Sequence, residues 1–111
     1  MTATPKTFDE ACEQLAREIA QVVIKKQRDY GKENILKYEA FMRQVLGKDY
    51  QIGVGVLARL NDKFERLKNL YKKGTKPENE PIEDTFSDII GYATVAQLLL
   101  RNQFKLPLRA N

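Results

Sequence analysis

The apolar residues of this chain recur every three or four positions in four segments, which is the periodicity of amphipathic α-helices. The pattern predicts a long first helix over residues 8–28, a shorter helix over 33–46 and a third helix over 54–73. A last helix begins near Pro81 and must end before Pro107. No segment shows the alternation of apolar and polar residues that is typical of a half-buried strand. We therefore expect an all-α bundle of three long helices and one shorter helix.

The residues at the ends of these segments support the predicted boundaries. Thr7 and Glu10 form a capping-box pattern at the start of the first helix. Glycine, which commonly ends a helix, follows each of the first three segments, at Gly31, Gly47 and Gly74. Gly53 and Gly55 precede the third helix, but the lysine and hydroxyl of a P-loop do not follow them, so we interpret the pair as a turn.

The third segment combines an apolar set and a charged set, each at helical spacing. The apolar set steps by 3, 4, 3 and 4 residues, through Leu57, Leu60, Phe64, Leu67 and Tyr71. This spacing predicts a seam buried in the bundle, with Phe64 in the core. Three long amphipathic helices carry more apolar surface than one small chain hides, and symmetric dimers are the commonest oligomers. We therefore expect a homodimer, or a higher homo-oligomer, that completes the bundle.

Length and composition restrict the class of protein. A chain of 111 residues is one domain, residues 1–111, and we expect residues 1–6 and 106–111 to be flexible tails. With 42% hydrophobic and 31% charged residues it is globular material, and it lacks a membrane-spanning run or signal peptide, which favours the cytoplasm. The single cysteine, Cys12, excludes an internal disulfide framework. The absence of histidine excludes imidazole bases and histidine-based zinc sites.

The basic residues are concentrated in the middle of the chain. Residues 25–76 carry fourteen basic and six acidic side chains, whereas each flank has a net charge of −2. A basic centre suits a polyanionic ligand, such as a nucleotide, a phosphate or a nucleic-acid backbone. Arg59, Lys63 and Arg66 are spaced to contact successive phosphates. The alternative is a solvated helix face on which Asp62 and Arg66 pair.

Acidic residues open the last predicted helix. Asp84 and Asp88 are four residues apart, so their carboxylates point the same way and could hold a hard cation such as magnesium. Glu83 is more simply explained by the favourable interaction of an acid with the helix dipole. Asp88 lies a full turn further in, where we expect it to have a partner, either a metal or one of the basic residues Lys63 and Arg66.

Three motifs together resemble the nucleotide modification associated domain, a small family common in phages. They are Asp29-Tyr30-Gly31, Arg59-x-x-Asp62-Lys63-x-x-Arg66-Leu67-x-Asn69-Leu70 and Glu83-Asp84-Thr85-x-x-Asp88-Ile89-x-x-Tyr92. The resemblance implies a nucleotide ligand and a phage origin. The basic residues of these motifs, Arg59, Lys63 and Arg66, would hold the phosphates. Tyr30 and Asp88 would lie near the base or sugar, and Tyr92 would also take part in binding the ligand.

The order of the motifs is also similar to that of the MazG-type all-α NTP pyrophosphatases, which bind magnesium through E-x-x-E and E-x-x-D motifs. In this chain the second motif survives only as Thr85-x-x-Asp88. A magnesium-dependent pyrophosphohydrolase would hold Mg²⁺ with Asp62, Glu65, Asp84 and Asp88. A protein that only binds the nucleotide needs no metal, and its basic residues would contact phosphate directly. The alternative from a different class is a basic DNA-associated or structural helical protein without a small-molecule site.

Overall fold

The computed structural model describes residues 4–47, 49–72 and 79–110, and within these ranges it contains helices and no strand. The four helices are α1, Phe8–Tyr30; α2, Glu33–Leu46; α3, Val54–Leu70; and α4, Asn79–Leu100. The prediction of an all-α fold with three long helices and one shorter helix is confirmed. The boundaries of α2 and the start of α1 and α3 are as predicted. The predicted helix stop at Gly74 lies outside the described residues.

Local chemistry explains where the helices begin and end. The Thr7 hydroxyl accepts the backbone N–H of Glu10 at 3.1 Å, which caps the first turn of α1. At the other end, the N–H of Gly31 donates to the carbonyl of Gln27 at 2.9 Å. Gly31 has a φ of 75°, which a residue with a side chain rarely adopts. The chain can therefore leave α1 and enter α2 after a very short turn.

The helices pack in the order α1, α4, α3, α2, each against the next. The buried core cluster joins α3, α4 and the segment that follows α4, through Val56, Val95, Leu99 and Phe104. Phe104 reaches the core because the chain folds back after α4, where the N–H groups of Gln103 and Phe104 both donate to the carbonyl of Leu98. The core therefore lies where α3, α4 and the segment after α4 meet.

The segment after Phe104 runs along the junction between α1 and α2. The Lys32 ammonium donates to the backbone carbonyl of Leu106 and lies 5.8 Å from the centre of the Phe104 ring. The Arg28 guanidinium donates to the carbonyl of Arg109 at 2.8 Å. These contacts fix the end of the chain against the two basic residues that flank the α1–α2 turn.

The apolar seam predicted for the third helix is only partly buried. Leu67 is 8% exposed, but Phe64 is 51% exposed, so the prediction that Phe64 lies in the core of this chain is wrong. Leu57 and Tyr71 are also exposed. The reason lies in the packing order: α1 packs on α4, and α3 uses a different face for α2 and α4. The stripe that contains Phe64 is left uncovered within one chain.

No helix in the described part of the chain is long and apolar enough to cross a membrane.

Candidate functional site

A cavity, called here the central cavity, lies between all four helices and has a volume of about 320 Å³. One face each of α1, α2 and α4 forms most of its wall, and Val56 and Arg59 of α3 complete it. The residues of α4 that contribute are spaced by one turn, from Ser87 through Gly91 to Val95. Helical periodicity thus directs polar and apolar residues from separate segments into one space.

Gly91 sets the distance between α1 and α4 at the wall of this cavity. A Cβ atom on Gly91 would lie 3.2 Å from Cγ2 of Val23, which is tighter than ordinary van der Waals contact. The small residue therefore lets α1 approach α4 closely. This contact places Lys26 of α1, one turn beyond Val23, beside Asp88 of α4.

A second space, called here the outer groove, adjoins the central cavity between α1, α3 and α4. It has a volume of about 520 Å³ and is lined in part by Leu15, Lys63, Arg66 and Asp84. Four residues line both spaces: Ile19, Val22, Ser87 and Asp88. An extended ligand can therefore occupy both, with Asp88 at the border between them.

Asp88 bridges two lysines from two different helices. Its carboxylate lies 3.1 Å from Nζ of Lys63 on α3 and 3.3 Å from Nζ of Lys26 on α1. Partial burial raises the pKa of Asp88, but the hydrogen bond from Lys63 and the charges of both lysines outweigh this effect. The pKa of Asp88 therefore lies below its ordinary value. The carboxylate is therefore ionised at neutral pH and is shared by two basic side chains.

Arg59 lies over the face of the Tyr38 ring, with its guanidinium carbon 4.3 Å from the ring centre. Both residues line the central cavity. A cation–π contact orients the guanidinium without neutralising its charge. The Arg59 charge thus remains available to an anion, because it has no carboxylate partner among the described residues.

Arg66 is held by a neutral group in the outer groove. Its Nε donates to the hydroxyl of Thr85 at 3.3 Å, and that hydroxyl donates to the carbonyl of Pro81 at 2.7 Å. Thr85 is only 1% exposed, so this chain of hydrogen bonds is rigidly placed. Within the described ranges Arg66, like Arg59, forms no ion pair.

Glu39 is a buried carboxylate at the wall of the central cavity. It is 3% exposed and accepts the backbone N–H groups of Gly53 at 2.7 Å and Val56 at 2.9 Å. Its charge is therefore used to cap the N-terminus of α3 from the neighbouring helix α2. Glu39 orders the wall and forms no ion pair with Arg59, which lines the same cavity.

The six residues predicted to bind a ligand lie around the two adjoining spaces. Tyr30, Arg59, Asp88 and Tyr92 line the central cavity. Lys63 and Arg66 line the outer groove, together with Asp88. Residues predicted from three separate motifs are therefore brought together by the fold.

Comparison with known proteins identifies a family for this chain. The family model described as nucleotide modification associated domain 1 matches residues 26–100 of the chain. The chain belongs to this family. No curated protein and no solved structure matches it. The matched region contains α2, α3 and α4 and the end of α1, and therefore the residues of both spaces except the earlier part of α1.

The four carboxylates predicted to hold magnesium are not assembled in this member of the nucleotide modification associated domain 1 family. Asp84 lines the outer groove and Asp88 is held by two lysines, whereas Asp62 and Glu65 line neither space. Glu65 accepts instead from Lys68 at 3.3 Å. The described ranges contain no group of three or more acidic or cysteine residues that could hold a metal ion. These side chains do not fit a magnesium centre, and Mg²⁺ stays a prediction from resemblance.

The structure adds residues to the site of this family member that sequence reasoning missed. Glu39, Gln27 and Asn34 all line the central cavity, but none was singled out from the sequence. Glu39 is one of several acids in the chain, and it is buried because α3 begins next to it. For Gln27 the available signal was its position on the same face of α1 as Val23 and Tyr30, at helical spacing.

Proposed function

We propose that this protein binds a nucleotide, a (d)NTP or a related compound, across the central cavity and the outer groove. The base and sugar would occupy the central cavity, which has apolar walls and aromatic side chains. The phosphates would extend from Arg59 in the central cavity, past Asp88, into the outer groove, toward Lys63 and Arg66. Membership of a family whose description concerns nucleotide modification supports the choice of ligand class.

The observation that carries this proposal is that Arg59 and Arg66 are held in place by neutral groups and not by carboxylates. The spaces are lined by charges of both signs, since Glu18, Glu39, Asp84 and Asp88 accompany the basic residues. However, Glu39 is engaged by backbone N–H groups and Asp88 by two lysines. Arg59 and Arg66 are positioned by a ring and a hydroxyl. Guanidinium groups held in place by neutral partners suit phosphate binding, because each can donate two hydrogen bonds to an anion.

We further propose that the protein is a homodimer. The chain exposes 9102 Å² of surface, whereas a compact protein of its mass exposes about 6,300 Å². Its radius of gyration is 16.2 Å, against about 13 Å for a compact domain of this length. The excess surface of about 2,800 Å² is well above the roughly 800 Å² that each partner buries in a standard interface.

The faces that a second copy would cover carry apolar residues at heptad spacing. On α1 the exposed residues Phe8, Leu15 and Val22 are seven positions apart. The same spacing separates the exposed residues Leu57 and Phe64 of α3 and Tyr71, which caps the end of α3. Residues at this spacing form one straight stripe, which suits packing against another helix. We propose that α1 and α3 of one copy pack against those of the other, which would complete a MazG-like bundle.

Hydrolysis of the nucleotide is not part of the proposal. A MazG-type pyrophosphohydrolase needs several carboxylates around one metal, and Lys26 and Lys63 already neutralise Asp88. The resemblance to that class, like the phage origin, stays a prediction.

Isothermal titration calorimetry tests the proposed function with a panel of dNTPs and with tripolyphosphate, in magnesium and in EDTA. We expect binding that EDTA does not abolish. Arg59→Ala and Arg66→Ala should each weaken it about tenfold or more, since a hydrogen bond to a charged group is worth about 1.5–3 kcal/mol. Arg17→Ala is the matched control, because Arg17 is exposed on α1 and lines neither space. Absence of nucleotide binding, with salt-sensitive binding to DNA instead, would overturn the proposal.

A further inference from the structure

Several polar side chains of the central cavity make no hydrogen bond within the described part of the protein. The two amides are Gln27, near the end of α1, and Asn34, in the first turn of α2. Among the described residues, the phenol groups of Tyr38 and Tyr92 also have no hydrogen-bond partner. The charged groups beside them differ, because Glu39 and Asp88 are fully engaged. The cavity thus has neutral donors and acceptors available to a ligand, whereas the carboxylates of Glu39 and Asp88 already have partners.

The two amides lie in the part of the central cavity that the outer groove does not share. Gln27 and Asn34 line the central cavity and not the outer groove, whereas the border between the two spaces is formed by Ser87 and Asp88. The short turn at Gly31 joins the helices that carry the two amides. A nucleotide whose phosphates extend past Asp88 would therefore place its base in the part of the cavity that contains the amides.

We propose that Gln27 and Asn34 determine which base the bound nucleotide carries. This inference rests on the proposed function. A carboxamide presents a donor and an acceptor side by side, and so can pair with the edge of a nucleobase through two hydrogen bonds. Apolar residues such as Val23, Ile35 and Val95 form the surrounding wall, so the base rings have apolar surface to pack against.

Such a pair of amides would discriminate between bases as well as bind them. In the absence of a ligand, solvent satisfies the amides, and a base that enters must replace those hydrogen bonds. A base with a mismatched edge leaves a donor or an acceptor unpaired inside the cavity. Sites built on such hydrogen bonds reject mismatched ligands far more strongly than apolar pockets do.

The fold does not depend on these amides, which makes the proposal testable. Gln27 is partly buried and Asn34 is exposed, and neither side chain bonds to another described residue. Gln27→Leu and Asn34→Leu keep the approximate size of each side chain and remove its hydrogen bonding. Gln21→Leu is the matched control, because Gln21 lies exposed on the same helix and lines neither space.

Calorimetry with the four dNTPs and with tripolyphosphate provides the measurement. For the wild type we expect dissociation constants that differ at least tenfold between the best and the worst base. Gln27→Leu and Asn34→Leu should each weaken binding of the preferred dNTP about tenfold and narrow that range. Both should leave tripolyphosphate binding and the melting temperature unchanged. Gln27→Glu, which keeps an acceptor and removes the donor, should change the order of base preference.

The outcomes separate this inference from the proposed function. Equal affinities for all four dNTPs in the wild type and in Gln27→Leu would overturn the role of the amides and leave nucleotide binding intact. A parallel loss of tripolyphosphate binding would also overturn it, because the amides would then act on the phosphates or on the fold. If no dNTP binds, both the inference and the proposed function fail.

Discussion

A methyl group on Gly55 of α3 would lie 2.9 Å from Oε1 of Glu39 on α2, so the two helices meet where only a glycine fits. The same methyl group would lie 3.1 Å from the Tyr38 ring, which carries the guanidinium of Arg59 on its face. The close approach of α2 and α3 therefore determines where the Tyr38–Arg59 pair stands at the cavity wall. In this way, a contact between two helices of the bundle positions a residue of the site.

Replacing Glu39 by glutamine should destabilise the fold. Glutamine keeps the shape of the side chain, but its NH₂ group cannot accept a hydrogen bond, so the N–H of Gly53 or of Val56 loses its partner. We expect a loss of about 2 kcal/mol in the free energy of unfolding, measured by urea denaturation. Glu65→Gln, at an exposed position, should stay within about 0.5 kcal/mol of the wild type. Equal stability of the two variants would contradict the capping role of Glu39.

Phe104→Ala should be among the most damaging single substitutions in the chain. Phe104 is 4% exposed and packs with Val56, Val95 and Leu99, so its removal leaves a cavity in the core. Truncation of a buried phenylalanine costs about 3–5 kcal/mol. Phe41→Ala provides the control, because Phe41 is 57% exposed. The prediction fails if both variants unfold at the same urea concentration.

The sequence was sufficient to predict the helices but not to predict which of their faces pack against one another. Periodicity and caps predicted the helices. The inward position of Asp88 predicted a partner, either a metal or a basic residue such as Lys63, and the structure shows Lys63 at 3.1 Å. The heptad around Phe64 identified an apolar face but could not tell whether the same chain covers it. Phe104 was missed because it follows the last helix, where no periodic signal extends, and Glu39 because its burial depends on contacts distant in sequence.

Phe64 should matter for association more than for the folding of one chain. Sedimentation of the wild type at micromolar concentration should show a dimer that persists at high salt, since hydrophobic burial is not screened. Phe64→Glu and Phe8→Glu should each yield a monomer, because a charge would be buried in the proposed interface. Phe41→Glu, on α2, should leave the dimer intact. A monomeric wild type would rule out the proposed interface.

The Asp88 cluster should make stability depend on acid pH. The folded-state pKa of Asp88 lies below its ordinary value of 3.8, so the unfolded state takes up a proton first as the pH falls. The stabilisation is complete above about pH 5 and is lost as the pH falls through the folded-state pKa. The difference in unfolding free energy between wild type and Asp88→Asn should therefore be constant near neutrality and shrink below about pH 4. Urea titrations over this range provide the measurement, and Asp62→Asn is the exposed control. A difference that does not vary with pH would mean that the ion pairs do not stabilise the fold.

Asp88→Asn and Arg66→Ala should change nucleotide binding in opposite directions. Removal of the Asp88 charge frees Lys26 and Lys63 from their shared partner, so phosphate binding should tighten several-fold, most at low salt where charges are least screened. Arg66→Ala removes a donor from the outer groove and should weaken binding about tenfold with little loss of stability. Calorimetry with a dNTP at two salt concentrations distinguishes the two effects, with Arg17→Ala as the control. A metal-dependent hydrolase would behave otherwise, because Asp88→Asn would then abolish turnover together with any dependence on magnesium. If neither substitution changes the affinity, the phosphates do not lie between α3 and α4, and the ligand site must be sought elsewhere on the chain.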